Sequence, residues 1–394
     1  MSAGRSAIDA GELRERLAGL EPIGLGPDGT SRLAWTPELA AAETWFGEQA
    51  CAAGLRVERD PAGSLWAVPD TPGPWWATGS HLDSVRSGGR FDGALGVAAG
   101  FAVAERSGGR VVVIAFADEE GTRFNTPTFG SRALVGRLDV ADVLARADDD
   151  GIVLADAMRA AGADPDGLAD APAWLERLRG FVELHIDQTQ DLERLGAPAG
   201  AVRALASRMR LALRFTGRAD HAGTTRRAER RDALAAAARL IVAADELAGG
   251  DPDFLVTAAR MLVEPNAFTT VPSGVRLWID GRTPDPERLT AWRAALAARG
   301  AELEAATGVA IEVATASQSE AVSFDPDVLA ALGELPQLVC FAGHDAGILA
   351  QRLPAGMVFV RNASGVSHAP EEHVELEDAA VAAQSLLGVL ERLA

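Results

Sequence analysis

The chain has 394 residues, too long for one ordinary domain and suited to two. Hydrophobic residues make up 48% and charged residues 24%, a globular balance, and no apolar run is long enough for a membrane span. A formal net charge of −19 argues against nucleic acid or an anionic membrane as partner.

The first candidate element is a decoy. Gly24-Leu-Gly-Pro-Asp-Gly29 matches G-x-G-x-x-G, yet it follows no clear strand and opens no helix, so it is not read as a dinucleotide site. Thr36-Pro37 reads as an N-cap and N1 proline, opening a helix over 37–53. A buried strand is expected at 75–79, a small-residue helix at 92–104 and buried strands at 111–117 and 181–186. The Ala/Asp-rich stretch 140–170 reads as surface helices and loops. Strands separated by helices predict an α/β layer structure.

A different pattern follows. A strand is expected at 208–217, a helix at 227–248, strands at 254–263 and 275–281, a helix at 286–306 and a strand at 308–315. That order, βαββαβ, is the ferredoxin-like pattern. From about 320 the chain returns to helix, strand and helix. The expected organisation is a main domain in two parts, 1–206 and 319–394, interrupted by an inserted domain at 207–318.

The absences narrow the chemistry. All 37 basic residues are arginines and tyrosine is missing, which removes a lysine Schiff base, a P-loop lysine, a Ser–Lys dyad and a tyrosine acid. Cys51 and Cys340 form no CxxC motif or disulfide framework, and residues 1–6 contain no apolar leader, so a cytoplasmic location is expected. Among six histidines, His81, His185 and His368 each follow or end a predicted strand. Asp92 opens a helix, and Asp118-Glu-Glu-Gly121 sits just past a strand. Singly, each has a bland reading as a turn, cap or surface group. Together they place imidazoles and carboxylates at the strand edge where α/β sheets bind ligands. Mixed nitrogen and oxygen donors suit a divalent metal, and a surplus carboxylate suits a general base.

With these blocks in family order, from Gly79 to Gly96 through to Gly365 to Pro370, the sequence resembles the hydantoinase/carbamoylase branch of the M20 metallo-amidohydrolases. The resemblance implies a two-domain α/β fold, in which the two-part domain is catalytic and the insert a lid or dimerisation domain, and two divalent metals, Zn or Mn, with Co or Ni also accepted. His81, Asp92 and His185 would hold one metal, and Asp92, Glu120 and His368 the other. Glu119 would be the general base, and Asp83 would orient His81. His221 would reach the substrate carbonyl across a homodimer interface. Gln188, Asn266 and Arg282 would bind the substrate's polar groups and carboxylate, with Asn266 expected near Arg282 on a neighbouring strand. His344 and Asp345 would shape the site wall.

The implied reaction is hydrolysis of a ureido C–N bond of a small carboxylate, releasing ammonia and carbon dioxide. Allantoate is the first choice of substrate and an N-carbamoyl-L-amino acid the second. Behind both stand an aminoacylase or dipeptidase activity and a homologue without catalysis. The chain departs from the family's His-Ile-Glu-Gln-Gly at Asp187 and Thr189, and Phe341 lies in a second altered stretch. Thr189 stands where a glycine would allow a special backbone angle.

Overall fold

The computed structural model describes residues 7–393. They form two compact units. One takes in the described residues up to Arg203, then Ser323–Leu338 and Gly343 onward. The other is Ala204–Val322 with Val339–Ala342, a short return that the sequence pattern assigns to the catalytic domain.

The first unit is built on a mixed sheet. Its centre is four parallel strands in the order Ala355–Val360, Leu178–Ile186, Trp75–His81 and Val111–Phe116. Their residues are buried almost without a break, as strands covered on both faces are. Leu65–Val68 and Ala199–Leu205 add antiparallel strands on either side. Neither these nor the outer strand Arg56–Arg59 is expected from the sequence: two have only four residues, and Ala199–Leu205 is rich in alanine and glycine rather than β-branched residues. The helix Pro37–Ala52 starts at Thr36, whose hydroxyl accepts from Leu39 N as its N-cap. The helix Ala94–Ser107 is buried along its length. Its small residues let it approach the sheet closely: a Cβ on Gly96 would stand 2.2 Å from Leu184 O.

Two expectations change. The stretch 140–170 is not merely surface. Val143, Leu154, Met158 and Leu168 form a satellite core with Trp35, Phe124 and Phe129. The Gly24–Gly29 motif is the turn of a two-stranded hairpin, Leu25–Gly26 against Gly29–Thr30, with no helix at its end.

The second unit has four antiparallel strands in the order Leu255–Glu264, Gly274–Thr283, Ser207–Thr216 and Ala310–Ser319. The helices Ala233–Ala248 and Pro286–Thr307 pack on one face against Leu211, Leu213, Phe215, Leu277 and Ile279. This is the βαββαβ order. The first helix begins at Ala233 rather than 227, because Asp232 caps it by accepting from Leu234 N and Ala235 N. Residues 227–229 form only a 3₁₀ turn.

One backbone position controls the first unit's geometry. Gly93 has φ 66°, and a Cβ there would lie 2.5 Å from the ring and carbonyl of His81. Gly93→Ala is expected to displace His81 or Asp92, lowering both metal content and the melting temperature by a few degrees, about 1–2 kcal/mol. Elemental analysis and thermal melting check this. Unchanged values in both would refute the close approach.

Candidate metal centre

The parallel strands deliver their side chains to one edge. His81 is the last residue of its strand. Asp118–Glu120 follows the strand Val111–Phe116, and His185 is next to last in Leu178–Ile186. His368 comes after Ala355–Val360 in a left-handed conformation, φ 57°. Asp92 sits just before the helix Ala94–Ser107. The edge is the C-terminal one, as expected for this sheet type.

These groups converge on Asp92. Its Oδ1 lies 3.5 Å from His81 Nε2 and 3.0 Å from His185 Nε2. Its Oδ2 lies 3.4 Å from His368 Nε2, which is also 3.4 Å from Glu120 Oε1. One carboxylate therefore faces two donor sets from its two oxygens. His81, Asp92 and His185 form one such set, and Asp92, Glu120 and His368 another, each with ligand atoms within 4.8 Å of one another.

The backbone fixes the imidazoles. His81 Nδ1 donates to the carbonyl of Asp83 at 2.9 Å, and His185 Nδ1 donates to that of Ile186 at 2.9 Å. Both therefore present an unprotonated Nε2 as a metal donor in the neutral tautomer. Asp83 orients His81 through its carbonyl rather than through its carboxylate. The Asp83 carboxylate instead accepts from Glu119 N and Glu120 N at 3.2 and 3.1 Å, clamping the turn that carries both glutamates.

The donor set fits a divalent cation. Asp92 Oδ2, His185 Nε2 and Glu119 Oε1 are buried with no hydrogen-bond partner among the described residues. Burial raises the pKa of Glu119 well above the usual carboxylate range, opposed by His81 and reinforced by Asp345 and Glu120. Burial and then Asp92 push Glu120 up to about 8. Burial works against ionising Asp92 too, but the imidazoles of His185 and His81 hold it well below its ordinary value. Such crowded carboxylates call for positive charge.

The remaining expected residues fall in varied places. Asp345 is buried and accepts from Ser131 Oγ. His344 is buried with both ring nitrogens unpaired, its ring 4.3 Å from that of His185. Burial and then His185 lower its pKa well below the usual value. Gln188 is half-buried three residues past His185. Asp187 accepts from the backbone N and hydroxyl of Thr189 and from Leu192 N. Thr189 is absent from the positive-φ residues, so its position requires no glycine-like angle. The shorter Asp187 closes this turn on itself.

In the second unit, His221 Nδ1 accepts from Gly223 N and Thr224 N at 3.0 and 3.2 Å. That leaves Nε2 with the proton in the neutral form. His221 pairs with Thr270, next to the loop that holds exposed Asn266. Arg282 is elsewhere. Glu264 pairs with Gly274, but Arg282 pairs with Leu255, at the other end of the same two strands. The eight residue steps from Gly274 to Arg282 span roughly 26 Å at about 3.3 Å each. The expected closeness of Asn266 to Arg282 is therefore wrong. The residues lie on flanking segments, but the strand register separates them.

Two residues near the centre carry little or no signal in the sequence. Glu372 is buried, and its Oε1 accepts from Asp92 N at 2.9 Å, tying the His368 loop to the Asp92 loop. Its position four residues after His368 is the one available hint. Arg32 is 1% exposed. It donates from Nε to Leu82 O at 2.8 Å, and Asp83 and Asp92 oppose the lowering of its pKa by burial to about 10. No motif surrounds it.

Known proteins share this architecture. The model of peptidase family M20/M25/M40 matches residues 67–392. An N-carbamoyl-L-amino acid amidohydrolase from Geobacillus stearothermophilus is 36% identical, covering 98% of this chain and 99% of its own. The allantoate amidohydrolase of Escherichia coli (strain K12) is 31% identical over 97% of each. A solved hydantoinase/carbamoylase family amidase from Burkholderia multivorans matches with TM-score 0.88 and 30% identity, covering 98% of each chain. The chain belongs to the M20 family of metal-dependent hydrolases. Within it, the chain is an amidohydrolase, with the two-domain α/β fold of the carbamoylase branch.

Glu120→Ala and His368→Ala are each expected to lower bound metal, read by elemental analysis. Glu372→Ala should do the same without touching a ligand, by freeing the Asp92 loop. Full metal in Glu120→Ala and His368→Ala would remove them from the donor set. Full metal in Glu372→Ala alone would limit that residue to packing.

Proposed function

We propose that the chain hydrolyses the ureido C–N bond of a small carboxylic acid, with two divalent metals held by His81, Asp92, His185, Glu120 and His368. The observation that carries this is the two-sided approach of three imidazoles to Asp92, with Glu119 Oε1 unpaired beside them. Bound divalent metals supply a polarised carbonyl and a more acidic water. Glu119 takes the proton of the attacking water and returns it to the leaving nitrogen. His221 donates its Nε2 proton towards the carbonyl oxygen as charge develops there. Arg282 grips the substrate carboxylate, and Gln188 and Asn266 take polar groups. Ammonia leaves, and the carbamate left on the substrate amine loses carbon dioxide.

N-carbamoyl-L-amino acids stand ahead of allantoate here, reversing the order that the sequence suggests. Support comes from the 36% relative that acts on them, against 31% for the allantoate enzyme. Zn and Mn remain the first choices of metal, because the donors are imidazole and carboxylate without thiolate.

The protein is also inferred to work as a homodimer. His221 and Asn266 lie at one end of the insert strands and Arg282 at the other, roughly 26 Å apart. A small substrate cannot meet both from one insert, so two chains would contribute. The outer strand Leu255–Glu264 has a free edge with exposed Leu255, Met261 and Leu262, which supports pairing.

Ammonia release from N-carbamoyl amino acids and allantoate, with Mn²⁺ or Zn²⁺ added, tests the reaction. Glu119→Gln should keep its metal and fold yet lose ~10²–10⁴-fold in rate. Near wild-type turnover would sink the base assignment. Arg282→Ala should raise KM by the loss of roughly 2–4 kcal/mol, with metal content unchanged. An unaltered kcat/KM would place the carboxylate elsewhere. Mixing inactive Glu119→Gln with inactive His221→Ala should restore activity through hybrid dimers under subunit exchange, whereas a fully active monomer in sedimentation refutes the shared site.

A further inference from the structure

Arg282 does not stand alone on its sheet face. In the antiparallel register it lies directly opposite Arg208, and Asp280 lies opposite Arg210. Residues directly paired in this way put their side chains on one face with Cβ atoms about 4.5–5.5 Å apart. The result is a square of three guanidiniums and one carboxylate. Asp280 is fully used: Oδ1 accepts from Arg282 Nε at 2.7 Å and Oδ2 from Arg210 Nε at 3.0 Å. Arg282 Nη1 also donates to Phe341 O at 2.6 Å.

Arg208 has no acceptor of its own among the described residues, although the charge of Asp280 attracts it. Its Nε is buried with no partner, and the next strand sets only Ser319 opposite it. On the far side of Arg282 stands Leu255. Neither neighbouring strand places an acid directly opposite Arg208 or Arg282. Like charges directly opposite are destabilising in a sheet. Here the pair sits half-buried, in a chain whose net charge of −19 offers many carboxylates elsewhere. An anion laid across both guanidiniums turns the repulsion into binding, with donors of Arg208 that no protein group uses.

We propose that Arg208 is a second anion-binding residue beside Arg282, which makes ureido acids with a second carboxylate the preferred substrates. This rests on the ureido-acid reading for its reaction and on the sheet register for its geometry. Burial, then Arg210 and Arg282, lower the Arg208 pKa, and the charge of Asp280 opposes them only in part.

N-carbamoyl-L-aspartate and N-carbamoyl-L-asparagine differ by one charge at nearly constant shape. Metal-loaded wild-type protein should favour the diacid by about tenfold in kcat/KM, through KM, the size of one charged hydrogen bond. Arg208→Gln should bring that ratio to about one, and Arg208→Lys should restore part of it. Absence of a diacid preference in wild type, or equal loss on both substrates in Arg208→Gln, overturns the proposal. Calorimetric titration of the diacid into Glu119→Gln, with and without Arg208→Gln, separates binding from reaction. Weaker binding without Arg208, together with a metal-loaded wild type that turns over no ureido acid, keeps the anion site and refutes the reaction. Equal affinity overturns the role of Arg208.

Discussion

Three imidazoles of the first unit gather around the carboxylate of Asp92. Its two oxygens face different imidazoles, His81 and His185 on one side and His368 on the other. That arrangement depends on a residue with no side chain. Gly93 lets the chain turn at φ 66° with its Cα almost against the His81 ring, so Asp92 can sit where it does. Glu372 then holds Asp92 N from behind.

The same centre is an electrostatic problem. Asp83, Asp92, Asp118, Glu119, Glu183 and Asp345 are all buried within one region of the fold. Backbone amides and one hydroxyl carry part of the load: Glu119 N and Glu120 N donate to Asp83, while Ala346 N and Ser80 Oγ donate to Glu183. Arg32 supplies a buried positive charge near Asp83 and Asp92. These leave Asp92 Oδ2 and Glu119 Oε1 buried and unpaired. Unpaired buried polar atoms are costly, and they gather where function requires them.

The insert solves a different problem. A ten-residue antiparallel pair is long compared with a small substrate, so its two ends cannot serve one molecule. Register, rather than sequence distance, decides which residues cooperate. Arg208 and Arg282 are far apart in the chain and opposite each other in the sheet, whereas Asn266 and Arg282 are close in the chain and far apart in space.

By itself the sequence determined the alternation of elements, since buried parallel strands write themselves as apolar runs and helices as capped periodic segments. Thr36-Pro37, the strand before His81 and the βαββαβ order were legible for that reason. The donor residues were legible because each lies at a strand end or helix start in a recognisable block. Short edge strands such as Arg56–Arg59 were not, for they carry too few residues to show a period. Tertiary structure alone decided that Glu372 and Arg32 support the centre, because their contacts are made across long stretches of chain. It alone decided that Asp83 grips a turn through its carboxylate while steering His81 through its carbonyl. And it alone decided the separation of Asn266 from Arg282, because pairing register is a property of two strands together and is written in neither one.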